Sequence, residues 1–126
     1  MDISNLNPRK AADENLIRVV LVHPSSKDIL EDDSGENLVI EVYGKDSSVW
    51  RKSALRHNRK KATKNAAELN DLFILILADC TDSISDNILI GDEPPESAKA
   101  LYKDQEWIAE QVLEKALDRG EVFLTV

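Results

Sequence analysis

Only three side chains offer imidazole or thiol chemistry, His23, His57 and Cys80, and their spacing does not gather them. His23 precedes Pro24 at the end of an apolar run, His57 lies in a basic stretch, and Cys80 closes an apolar one. A cysteine–histidine nucleophile pair is not indicated. A structural zinc site wants four nitrogen or sulfur ligands in close pairs, more than this chain supplies, so no metal is expected. The acidic run Glu31–Glu36, E-D-D-S-G-E, lacks the alternation and the closing glutamate of an EF-hand loop and reads as a solvated loop. Gly44 precedes a helix start, but Asp46 puts a negative charge where a phosphate would sit, and no glycine-rich phosphate loop exists. Carboxylates are plentiful without a paired or apolar setting that would tune them for proton transfer. The residues predict a protein that is not an enzyme and carries no cofactor.

Charge is the other chemical feature. Net charge is −8, yet residues 51–64, R-K-S-A-L-R-H-N-R-K-K-A-T-K, hold seven of the sixteen basic residues and no acid. The rest of the chain sets nine basic residues against all 24 acidic ones, a net −15. Arg51, Arg56, Arg59, Lys60 and Lys61 form the expected basic surface. Such a stretch could neutralise phosphates, with affinity falling steeply in salt. The acidic remainder repels the same polyanion, so an acidic protein surface is the preferred partner over nucleic acid.

The elements that position these residues follow from pattern. At 126 residues with 42% hydrophobic and 5% aromatic content, the chain suits one domain with an aliphatic core. The longest apolar run, Leu72–Ala78, is far short of the roughly 20 residues that cross a bilayer. The first residues lack a secretion signal, and a lone cysteine in an apolar segment reads as a small buried hydrophobe. Both suit a reducing host cytoplasm. Residues 1–15 are polar and aperiodic and are expected to form a flexible arm before a single domain at 16–126. Leu16–Val22 and Leu38–Tyr43 are rich in β-branched residues and predict an antiparallel hairpin over 16–44, joined by a long, acidic, mobile loop.

Helices fill residues 46–120. Asp46 or Ser47 caps the first, Ser48 to about Arg59, which turns Trp50 inward. A second, about Lys64 to Cys80, carries an apolar stripe broad enough for a central helix. The segment from Thr81 to Pro95 reads as a loop. Ser97 caps a short helix through Tyr102, and Asp104 caps another from about Gln105 to Asp118 that ends at Gly120. In that last helix Ile108, Ala109, Val112, Leu113 and Ala116 share one side and Trp107 projects nearly opposite. An apolar tail, residues 121–126, must pack back or dock elsewhere. The fold class is therefore α+β, an N-terminal antiparallel β-hairpin packed on a bundle of about four α-helices.

Two segments together resemble the tail-assembly chaperones of long-tailed bacteriophages. One is I-E-V-Y-G-K-D-S-S-V-W-R-K, Ile40–Lys52. The other is I-G-D-E-P-P-E-S-A-K-A-L-Y-K-D-Q-E-W-I-A-E-Q-V-L-E-K-A-L-D-R-G-E-V-F-L, Ile90–Leu124. The family shows a Gly-acid turn, an L-Y helix, a W-I-x-E-Q-V helix and a final D-R-x-x-x-F-L in this order. Relatives carry a tryptophan after the central helix and a proline before the W-I pair, where this chain has S-I-S-D-N and Glu106. The fold accommodates both differences, which bear on the partner surface. The resemblance implies a non-enzymatic chaperone that binds the tape-measure protein, keeps this long helical chain soluble and delivers it to the tail tube protein. It also implies self-association. On this reading Trp107, Tyr102, Phe123 and Leu124 line a partner surface; the alternative has Trp107 packed as a helix-start staple and the tail in the core. Two further readings remain, a phage structural or connector subunit and a small nucleic-acid-binding regulator using residues 51–64.

Overall fold

A computed structural model describes residues 8–57 and 66–118. Five helices and three strands follow one another as α1 (Pro8–Glu14), β1 (Ile17–Val20), β2 (Val39–Val42), α2 (Ser48–His57), α3 (Ala66–Cys80), β3 (Thr81–Ile84), α4 (Ala98–Asp104) and α5 (Glu106–Ala116). The class is α+β, and the two N-terminal strands form the antiparallel hairpin that their composition indicates. Ile17 pairs with Val42 and Val19 with Ile40, so one face of the hairpin is aliphatic and fully buried. The sheet has a third strand: β3 pairs antiparallel to β2, giving the order β1-β2-β3 with a register shift between Glu41 and Val42.

The strand at 81–84 replaces the expected loop. T-D-S-I has a single large apolar residue, Ile84, which meets Ile40 across the ladder, so the strand depends on its neighbour rather than on its own pattern. The connection between β1 and β2 is also tied down where a mobile loop was expected. Isolated bridges join Val22 to Ile29 and Glu31 to Asn37, and Leu21, Leu30 and Leu38 exchange backbone hydrogen bonds. The Asp32 carboxylate accepts the amides of Ser34 and Glu36, and Gly35 supplies the left-handed φ of +81° that the turn needs. Asn87, after β3, clamps this turn by donating to Asp32 Oδ2 and to the Asn37 carbonyl, both at 3.0 Å.

The described part of the N-terminal arm is helical. α1 buries Ala11 and Ala12, and its Asp13 carboxylate accepts the Ser48 amide at 2.6 Å and the Ser48 hydroxyl at 2.7 Å. A carboxylate from a distant helix thus satisfies a free donor at the start of α2 and complements the dipole there. Of the two expected caps, Ser47 is the one used: its hydroxyl accepts the Trp50 amide and donates to the Gly44 carbonyl.

α3 is central, packed against α2, α4 and α5. Ile74, Ile76, Leu77 and Cys80 are buried in a core shared with the strands, Trp50, Leu101, Tyr102, Ile108 and Val112. α4 is capped by Ser97, which accepts the Ala100 amide. The next cap position is Gln105 rather than Asp104, and Asp104 instead accepts the Gln105 side-chain amide. α5 ends at Ala116, and Gly120 lies outside the described residues. No helix among the described residues is long and apolar enough to cross a membrane.

Candidate functional site

α2 has two dissimilar sides. Trp50 and Ser53 turn inward, while Arg51, Lys52, Leu55 and Arg56 are exposed on the outside, Leu55 at 63%. The structure thus places Arg51 and Arg56 together on one outward face with Lys52. Arg59, Lys60 and Lys61 lie outside the described residues.

At the inner edge of this face a single carboxylate oxygen gathers three partners. Asp79 Oδ2 accepts from the Ser53 hydroxyl at 2.7 Å and from the Arg56 guanidinium at 3.1 Å, and it meets His57 Nε2 at 2.8 Å. Serine, histidine and aspartate side by side invite comparison with a hydrolytic triad, and the geometry rejects it. Catalysis requires the serine to hydrogen-bond the histidine, so that imidazole removes its proton. Here both donate to the aspartate, and Ser53 is 1% exposed, beyond reach of a substrate. The cluster ties the end of α2 to the end of α3. Partial burial raises the Asp79 pKa, but the hydrogen bonds from Ser53 and His57 and the nearby positive charges outweigh it, holding the carboxyl below its ordinary value. The neighbouring Cys80 is fully buried, and burial, reinforced by the Asp79 charge, pushes its thiol up to about 12. A thiol so placed is a hydrophobe rather than a nucleophile.

The second candidate surface is the α4–α5 pair. Tyr102 does not belong to it. Its ring is 0% exposed, its hydroxyl meets the Thr81 hydroxyl at 2.6 Å, and burial pushes its pKa up to about 12. This corrects its assignment to a partner surface: Tyr102 lies on the inward side of a seven-residue helix that closes over α3. Trp107 is half-buried. It packs against the core and donates from Nε1 to Gln105 Oε1 at 2.8 Å, which fixes the indole over the start of α5 while leaving part of the ring in solvent. Phe123 and Leu124 lie outside the described residues.

Beside Trp107, α5 presents Glu106, Glu110 and Glu114, all exposed at four-residue spacing, with Leu113 half-buried and Leu117 39% exposed among them. A narrow apolar slot separates α5 from α3, with Phe73, Ile74 and Leu77 on one wall and Ala109 and Leu113 on the other. On the far side of the domain, the outer face of the sheet forms an open groove of about 580 Å³ that includes Asp32, Glu36, Glu41 and Asp86. Among the described residues no group of three histidine, cysteine or carboxylate side chains is arranged to hold a metal ion.

Sequence reasoning missed Gln111. Its amide bonds a residue two positions past β1, accepting the Val22 N–H at 3.0 Å and donating to the Val22 carbonyl at 2.8 Å, as a neighbouring strand would. Its position between Glu110 and Val112 marks it only as lying off the buried face, and nothing in the sequence pairs it with Val22.

Comparison with protein-family models, with curated proteins and with solved structures found no match to this chain.

Proposed function

We propose that this protein is a non-enzymatic phage tail-assembly chaperone that holds the tape-measure protein soluble and delivers it to the growing tail tube. The reading rests on the resemblance carried by Ile40–Lys52 and Ile90–Leu124. One structural observation supports it most: Trp107, in the W-I-A-E-Q-V segment, is anchored through Gln105 with part of its indole in solvent. An aromatic hydrogen-bonded in place and only partly covered is a suitable anchor for an amphipathic client helix, because it supplies contact area at little cost in conformational entropy. The exposed cations of α2, Arg51 and Lys52, favour one other reading, a nucleic-acid-binding regulator whose affinity collapses with salt.

The test is an affinity pull-down of the tagged chain from phage-producing cells, with bound proteins identified by mass spectrometry and mature particles assayed for the chain. Recovery of a long helical tail protein, with the chain absent from particles, is the expected result. Incorporation into particles would make it a structural or connector subunit, and co-purified nucleic acid without tail protein would favour the regulator. Trp107→Ala is expected to weaken client recovery by tenfold or more, about 1.4 kcal/mol or above, with little change in helical content.

A further inference from the structure

The outward faces of α2 and α5 are complementary in charge and matched in length. We infer that α2 of one copy docks on α5 of another, so that the protein assembles head to tail. α2 has 10 residues and α5 has 11, so each presents a rod of about 15 Å at 1.5 Å per residue. On α2 the exposed residues are Arg51, Lys52 and Arg56, with Leu55 between them. On α5 the outward stripe is Glu106, Glu110 and Glu114, flanked by half-buried Leu113 and by Leu117 just past the helix, while the exposed Lys115 lies about 180° around the helix from Glu106. Each face is thus one sign of charge around an apolar centre.

Among the described residues most of each face is turned away from the subunit's own core; Arg56, which bonds Asp79, and Leu113, which packs against the core, are the exceptions, and Glu106 and Glu110 rim the slot between α5 and α3. α2 packs on α1 and α3 through its other side, and α5 packs on α3, α4 and the strands through Ile108, Ala109, Val112 and Ala116. Among the described residues the three glutamates make no ion pair, and the only cation of the α2 face in an ion pair is Arg56, which remains 61% exposed. In the docked pair Leu55 seats against Leu113 and Leu117, and Arg51 and Lys52 face the glutamates.

The two surfaces differ, so the contact is heterologous. Every copy added leaves one α2 and one α5 free, and the assembly extends as a filament or closes as a ring. Two helices of this length bury less than roughly 1,200 Å², the weak and transient end of specific interfaces, so the contact depends strongly on charge. The inference is drawn from the chain's own faces and does not rest on the tail-assembly reading.

Sedimentation velocity of the purified chain tests it without any phage component. The wild type is expected to form large species at about 0.01 M salt, where the screening length is about 30 Å, and to run as a monomer at about 1 M, where it is about 3 Å. Arg51→Glu with Lys52→Glu should abolish assembly, as should Glu110→Lys with Glu114→Lys. An equal mixture of the two reversed proteins should restore it, because each reversed face then meets its complement. All four positions are exposed, and circular dichroism of each variant checks that it folds. The neutral pair Arg51→Gln and Lys52→Gln, expected to weaken association roughly tenfold or more, serves if a reversal does not fold. A wild type that stays monomeric at low salt overturns the inference. So does a reversed or neutral variant that assembles like the wild type, a mixture that stays monomeric, or a chain that binds duplex DNA at low salt without self-associating.

Discussion

Thr81 has one hydroxyl hydrogen, and the Leu77 carbonyl takes it at 2.7 Å. The 2.6 Å contact between Thr81 and Tyr102 must therefore have the tyrosine as donor, so the two hydroxyls form a directed chain that also satisfies a carbonyl in the last turn of α3. The direction sets an order of mutational cost. Tyr102→Phe removes the donor and leaves the threonine hydrogen bonded to Leu77, and urea unfolding should register a loss of about 1 kcal/mol. Thr81→Val strands a fully buried phenolic hydroxyl and an α3 carbonyl, and should cost more, about 2–3 kcal/mol. Equal losses, or the reverse order, would show that the chain runs the other way. Asp79 supplies the pH dependence. Its carboxyl lies below the ordinary 3.8 because Ser53, His57 and Arg56 favour the ionised form, so the native state binds that proton less readily than the unfolded chain. The stabilisation is complete above 3.8 and is lost as pH falls through the lower, folded-state value. Asp79→Asn should be less stable than wild type at neutral pH, with the gap closing in acid; a gap that stays constant from neutral pH down to acid unfolding would contradict this account.

At the scale of elements, polar side chains reaching across the sequence decide which segments are fixed. Gln111 joins α5 to the segment just past β1 by two bonds to one residue, the N–H and the carbonyl of Val22. Gln111→Ala leaves the Val22 N–H and carbonyl without these partners and should cost about 1–3 kcal/mol, whereas Gln111→Glu keeps an acceptor but sets a carboxylate against the Val22 carbonyl and should cost at least as much. Asn87 does the same for the acidic turn, and Asn87→Ala should raise hydrogen exchange at the Ser34 and Glu36 amides selectively, with α3 and α5 unchanged. Uniform exchange across the domain would instead mean that Asn87 supports global stability. These ties also explain which elements were legible. β1, β2, α2, α3 and α5 carry their own periodicity in runs such as L-I-R-V-V-L-V, and Ser47 and Ser97 mark helix starts by local chemistry. α1 and β3 have no such signal: seven residues of P-R-K-A-A-D-E and four of T-D-S-I become structure through Asp13 on Ser48 and through pairing with β2. The Asp79 cluster is hidden in the same way, since its members are 22 to 26 residues apart in sequence. Trp107 was legible as off the apolar face, but the part of its ring that Gln105 and the core cover was not.

For the whole molecule, the decisive question is whether one core holds the domain together. Residues from α1, β1, β2 and all four other helices contribute to a single buried cluster, with Ala11 at one extreme of the sequence and Ala116 at the other. Two tryptophans report on it from different places, Trp50 at 9% exposure on the inner face of α2 and Trp107 half-buried at the start of α5. If the helical hairpin of α2 and α3 and the α4–α5 pair were separate cooperative units, each tryptophan would follow its own transition. A shared core forbids that, because pulling α5 away exposes the same Leu77 and Ile74 side chains that support α3. The variants Trp50→Phe and Trp107→Phe each leave one reporter. Their fluorescence transitions in urea should each coincide with loss of helical circular dichroism measured on the same protein. Trp50 should emit further to the blue than Trp107 in the native state. Trp50→Phe should also lower the midpoint more, since it removes part of a buried ring, whereas Trp107→Phe gives up part of a less deeply buried one and its bond to Gln105. Non-coincident transitions for a single reporter would divide the molecule into two units, and the rigid placement of α2 relative to α5 would then have to be abandoned.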